Sequence, residues 1–192
     1  MKEPCIDTLE KLDFVADESS RKRHLTKKAG DSSEKSRITG LPKEEGLYPV
    51  ISVDPKYLLY NVDNTRARSF FQDENQEYDP DKVDELIHGI YEKMNDQQIQ
   101  YQLHKFLFEQ AQIADFNIYE ELLSGNQGDY LEIDASGIVI DGNRRLAAIR
   151  EVICEGEIEA KDKLETVKCI LITDSTGASS RKRNKQTCKN YY

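Results

Sequence analysis

A chain of 192 residues, 38% hydrophobic and 33% charged, is long enough for one domain of ordinary size with solvated tails, or for two small ones. Its 27 basic and 36 acidic side chains leave a net charge of -9, which excludes a general attraction of the whole molecule to nucleic acid or an anionic membrane and makes any polyanion site a local one. Met1 is followed by Lys2, Glu3 and Pro4 rather than by an apolar signal core, and no stretch has the length and hydropathy of a membrane span, so the reading is a cytoplasmic chain without a membrane partner.

Residues 1–45 balance ten basic against ten acidic side chains and hold few large apolar residues after Val15. With Arg21-Lys22-Arg23-His24, Lys27-Lys28 and a Gly/Asp/Ser stretch, they read as a flexible charged arm whose basic run is solvated or touches a phosphate backbone weakly. Residues 46–173 hold the ordered pattern. Tyr48 to Val53 alternates like a strand, Asp54-Pro55 turns the chain, and a short element ends at Asn61. Asp79-Pro80 is a helix start, and Val83, Leu86, Ile87, Ile90, Tyr91 and Met94 form an apolar stripe after it. A second helix carries Ile99, Leu103, Phe106, Leu107 and Ile113, and a third short one carries Tyr119, Leu122 and Leu123 to a stop at Ser124-Gly125.

Tyr130 to Asp134 and Ile138 to Asp141 flank Ala135-Ser136-Gly137 and predict a β-hairpin. Gly142-Asn143-Arg144-Arg145 then leads into a helical stripe of Leu146, Ala147, Ile149, Val152 and Ile153 that stops near Gly156, and Val167 to Thr173 is a final strand. Residues 174–192 have no apolar period and read as a flexible basic tail. No internal repeat is present, so arrays are set aside. Cys5, Cys154, Cys169 and Cys188 are widely spaced, two of them inside apolar runs that suit buried thiols, so no disulfide framework is expected. His24, His88 and His104 never fall at ligand spacing with a cysteine, and zinc has no support.

The chemistry concentrates between Ile138 and Arg150. A strand that ends at a glycine and turns directly into a helix leaves the first helical amides pointing outward, a ready anion site. Arg144 and Arg145 add charge and donor forks there. Successive helical residues point about 100° apart, so the two arginines divide their work, one to an anion and the other to a carboxylate such as Asp141 or Asp134. The alternative is a surface helix start capped by Asp141 or Asn143 with solvated arginines. Neither a Walker A loop nor G-x-G-x-x-G is present.

Gly142-Asn143-Arg144-Arg145-Leu146-Ala147-Ala148, with its preceding aliphatic strand and Asp141, resembles the second signature of the ParB/sulfiredoxin superfamily, which reads G-E-R-R in ParB proteins and G-C-H-R in sulfiredoxins. Ile51-Ser52-Val53-Asp54-Pro55, Leu58 to Asn61, and Asn64-Thr65-Arg66-Ala67-Arg68 resemble the first signature. The resemblance covers 46–173 and implies an α+β domain, a small mixed sheet packed with helices, with a helical insertion over about 79–124 between the two boxes. It implies that Gly142 and the amides after it hold the phosphates of a nucleotide, with Arg145 as principal phosphate arginine, Arg144 and Asn143 in support, and Asn64, Arg66 and Arg68 closing the site from the first box.

Asn143 stands where a sulfiredoxin has its catalytic cysteine, so the chain is not expected to reduce sulfinic acids. The acidic residue that ParB proteins place there is also missing, and asparagine serves neither as base nor as a metal carboxylate. Three functions compete. The first is binding of a nucleotide (NTP), with Mg2+, or of a nucleic-acid phosphate in a prokaryotic DNA-associated process, any turnover falling to Asp141 and Asp63. The second is a metal-dependent ParB-like nuclease using Asp141 and Asp134. The third is a non-catalytic adaptor that binds DNA or a partner protein.

Overall fold

The computed structural model describes residues 1–37, 47–63, 89, 92–113 and 117–173. They form an α+β domain whose mixed sheet has five strands, β1 (Lys35–Ser36), β2 (Tyr48–Val53), β3 (Leu131–Asp134), β4 (Val139–Asp141) and β5 (Val167–Ile172), in the order β1-β2-β5-β3-β4. β5 lies antiparallel to β2, with Ile51 opposite Cys169, and parallel to β3, with Leu131 beside Cys169. The hairpin read from Tyr130 to Asp141 is present, with a register shift at Glu132 and Ile133. Its turn needs a glycine at 137: φ is 85°, and a Cβ there would lie 2.4 Å from the Tyr57 carbonyl oxygen.

Five α-helices are described: α1 (Glu18–Asp31), α2 (Gln97–Ala111), α3 (Ile118–Leu122), α4 (Asn143–Glu155) and α5 (Ile158–Leu164). Asp96 caps α2 by accepting from the Ile99 amide, and Asn117 caps α3 by accepting from the Glu120 amide. The stripe of α4 buries Leu146, Ala147, Ile149 and Val152 in one core with Ile51, Val53, Leu131, Ile133, Cys169 and Leu171 from the sheet. The alternate residues Tyr48, Val50, Ile140, Ile170 and Ile172 form a second apolar cluster, as the two-residue period of a strand requires. The inserted helices α2 and α3 reach this core chiefly by packing on α4. The helix read from Asp79 lies outside the described residues apart from its end, where Met94 is buried. The tail after Thr173 also lies outside them.

Two expectations are corrected. Residues 1–37 are packed rather than solvated: Ile6, Leu12 and Leu25 are buried, β1 pairs with β2, and α1 is capped by Asp17. The basic run divides by helical phase. Lys22 and Arg23 are exposed, whereas Arg21 is 1% exposed and donates to the carbonyls of Val15, Ala16 and Ser136 and to Asn95 Oδ1. His24 stacks on Tyr57 with ring centroids 3.8 Å apart. The second correction is a disulfide between Cys5 and Cys154, whose Cα atoms are 6.2 Å apart although 149 residues separate them in sequence. Cys169 is the buried free thiol that its apolar run suggests, and burial pushes its pKa up.

Candidate functional site

β4 ends at Asp141, Gly142 takes φ 95° and ψ 16°, and α4 begins at Asn143. Only glycine suits this corner, because the φ is left-handed and a Cβ would meet Leu131 Cδ2 at 2.5 Å. Gly142 gives the helix no side-chain cap, and the first turn closes with the Leu146 amide donating to the Gly142 carbonyl at 2.9 Å. The cap residue therefore offers no side-chain acceptor to the first amides of α4.

The Asn143 side chain points inward and is 3% exposed. Its Nδ2 donates to the Val139 carbonyl at 2.9 Å, and its Oδ1 accepts the Asn61 amide at 2.9 Å. Asn61 Oδ1 in turn accepts the Asp63 amide at 2.9 Å, and Leu59 bridges in parallel to Ile138. The Gly142 turn and the first sequence box are thus sewn together. Asn64, Arg66 and Arg68, which follow Asp63 in the chain, lie outside the described residues.

Arg145 reaches carboxylates other than Asp141 and Asp134. Arg145 is 9% exposed; Nη1 donates to the Gln127 carbonyl at 2.9 Å and to Glu121 Oε2 at 3.3 Å, and Nη2 to Asp129 Oδ2 at 3.1 Å. It ties the segment after α3 to α4. Arg144 is half-buried and reaches the Gln110 carbonyl at 3.4 Å. Asp141 is exposed and opposite Glu132. Asp134 is absorbed by the hairpin turn, where its Oδ1 accepts from the Ser136 amide, the Ser136 hydroxyl and the Ile138 amide at 2.7 to 2.9 Å. Asp134 sits at the turn and Asp141 at the open end of the same hairpin, about 7 Å apart along the strands. Among the described residues, no group of three His, Cys, Asp or Glu side chains is placed to hold a metal ion.

A second polar constellation, missed in the sequence, lies in the core. The Tyr60 hydroxyl meets His104 Nδ1 at 2.8 Å, and His104 Nε2 meets Glu151 Oε1 at 2.7 Å. Glu151 also accepts the backbone amides of Cys5 at 2.6 Å and Ile6 at 3.1 Å. The Arg150 guanidinium lies 4.7 Å from the Tyr60 ring centre and donates to the Pro55 and Leu58 carbonyls, and Gln100 bonds both backbone groups of Tyr60. Tyr60, His104 and Glu151 are completely buried. The network assigns the imidazole a proton on Nε2 with Nδ1 accepting from the phenol. One signal was available: Gln100 and His104 stand four residues apart, polar residues on the same apolar face as Leu103 and Leu107.

Burial holds the His104 pKa below the ordinary imidazole value despite the opposing bond to Glu151, and it pushes Tyr60 up to about 12. The unfolded chain takes up a proton at its histidines near pH 6.5, where folded His104 does not. Below about pH 6.5 the unfolded state binds more protons, so stability falls with acidification, at up to about 1.4 kcal/mol per pH unit from this residue until the folded pKa is reached. His24, also lowered by burial, contributes with the same sign. Urea midpoints of the wild type and His104→Gln between pH 7.5 and 5.5 check this: the variant loses part of the slope, and equal slopes would refute a buried neutral imidazole.

Compared with protein-family models, curated proteins and solved structures, the chain has no significant match. Among the described residues, no helix is long and apolar enough to cross a membrane.

Proposed function

We propose that this domain binds the phosphate of a nucleotide, an NTP with Mg2+, or of a nucleic acid at the Gly142–Arg145 turn, as a ParB-like module of a cytoplasmic, prokaryotic DNA-associated process. One observation carries the reading: the uncapped start of α4 is stitched through Asn143 to Asn61 and, through Asn61, to Asp63, so a helix amino end and residues 61–63 of the first-box region belong to one locality. Helix amides and arginine forks together are the means by which proteins hold phosphates. Arg144, the more exposed of the two, is the ligand arginine in this reading and would exchange its hold on the Gln110 carbonyl for the phosphate, while Arg145 keeps Gln127, Glu121 and Asp129. Asp141, exposed beside the turn, would meet the nucleotide's magnesium. A nuclease has less support, because Asp134 Oδ1 is engaged in the hairpin turn.

Titration calorimetry with ATP, CTP, GTP and UTP in Mg2+, and with a short DNA duplex, tests it. Arg144→Ala weakens binding by about tenfold to a hundredfold, the worth of one charge-assisted hydrogen bond. Arg145→Ala instead costs about 1–2 kcal/mol of stability, since its carboxylate partners sit at the solvent edge. Absence of binding by every nucleotide and by the duplex removes the proposal, and unchanged affinity in Arg144→Ala removes the assignment of that residue.

A further inference from the structure

We propose that Cys5–Cys154 is a thiol–disulfide exchange site for a dithiol reductant, and that opening it releases residues 2–12 as a strap from the body of the domain. The strap crosses three helices. Lys2 pairs with Glu155 and bonds Tyr119, its backbone exchanges bonds with Gln112, the Tyr101 hydroxyl donates to the Asp7 carbonyl, and Gln97 donates to the Leu9 carbonyl. Most of these contacts lie at the surface and are individually weak, the Lys2–Tyr119 bond being part-buried. Its firm attachments are the disulfide, the two amides accepted by Glu151, and the buried side chains of Ile6 and Leu12.

Both half-cystines are half-buried rather than sealed, and Cys154 lines a cavity of about 300 Å3 with Ile6, Lys11 and Leu12 of the strap on one side and Arg150 and Ile153 on the other. A small reductant therefore has an approach. Lys11 Nζ donates to the Cys5 carbonyl at 3.0 Å while pairing with Asp7, and Lys161 Nζ donates to the Cys154 carbonyl at 2.9 Å, so each half-cystine also holds a lysine through its backbone. One thiolate of the dithiol attacks the Cys154 sulfur from the cavity, the S–S bond breaks, and Cys5 leaves as thiolate and is protonated. The second thiol of the reductant then displaces the first cysteine, so the reductant ends as a disulfide and the chain as two thiols. In a reducing compartment, disulfides that do form are mostly redox-sensing or catalytic ones. Opening this one removes the single covalent tie between the strap and α4, and Glu151 loses its hold on the Cys5 and Ile6 amides whenever the strap lifts.

Hydrogen exchange on the intact chain, with and without dithiothreitol under native conditions, tests this. Reduction accelerates exchange at the Cys5 and Ile6 amides by about tenfold or more, as local opening does, while Ile170 and Leu171 in the sheet keep their protection. Iodoacetamide then labels Cys5 and Cys154. Cys5→Ser and Cys154→Ser reproduce the reduced pattern without reductant. Three results would overturn the proposal: unchanged protection at Cys5 and Ile6 after reduction, equal acceleration in the sheet, or a disulfide that opens only on global unfolding.

Discussion

Glu151→Ala will destabilise the folded domain by about 3–5 kcal/mol, the cost of removing one partner from a buried polar pair and leaving its donors without acceptors. The carboxylate is fully buried and serves three donors, His104 Nε2 and the Cys5 and Ile6 amides. Alanine offers none of them an acceptor, and the space vacated lies among α2, α4 and the strap, where water cannot readily follow. Glu151→Gln keeps one carbonyl oxygen but turns a donor toward an amide or the imidazole, so it loses an intermediate amount. Urea unfolding without reductant measures both. A loss under about 1 kcal/mol for the alanine variant would mean that the network rearranges around the gap, contrary to the close packing of such interiors.

Arg21→Ala will cost about 3 kcal/mol, whereas Lys22→Ala and Arg23→Ala will stay within about 0.5 kcal/mol, the range for surface substitutions. Arg21 satisfies four acceptors, the carbonyls of Val15 at 2.6 Å, Ala16 at 2.7 Å and Ser136 at 2.8 Å, and Asn95 Oδ1 at 2.7 Å. Through them one side chain joins the entry to α1, the β3–β4 turn and the approach to α2. Lys22 pairs with Glu18 one turn away on the exposed face, an interaction worth only tenths of a kcal/mol. Arg21→Lys does not restore the loss, since an ammonium lacks the planar fork that spans these separate acceptors. Thermal melts of the three alanine variants decide the matter, and three similar midpoints would return the basic run to a solvated face.

The parts of the fold that could be read in advance share one property, a repeating apolar pattern. β2, the β3–β4 hairpin, α4 and β5 all show it, and the Gly142 turn is legible because the pattern changes period there. α1 has no such pattern: it is anchored by Leu25 and by an inward arginine that looks like its solvated neighbours. The disulfide joins residues 149 apart, and Tyr60, His104 and Glu151 come from three separate elements, so neither leaves a local trace. At the candidate site the sequence marked the arginine pair and directed one of them to a carboxylate, as Arg145 is. It did not mark Glu121, Gln127 and Asp129 as the groups that engage Arg145, because that choice depends on how the segment after α3 returns to the sheet.

The strand order fixes when this domain can fold relative to its own synthesis. β5 is the last described strand to be made, yet it occupies the centre of the sheet between β2 and β3. Until Val167–Ile172 has emerged from the ribosome, the β1–β2 and β3–β4 pairs lack the strand that lies between them, although the Leu59–Ile138 bridge and the Asn61–Asn143 bond already link the two sides. The growing chain holds two hairpin ribbons, each with an edge that is open to any other extended segment nearby. The nascent chain therefore passes through an aggregation-prone interval that ends only when a segment near residue 170 pairs at once with partners about 120 and 40 residues behind it, a non-local closure that slows folding.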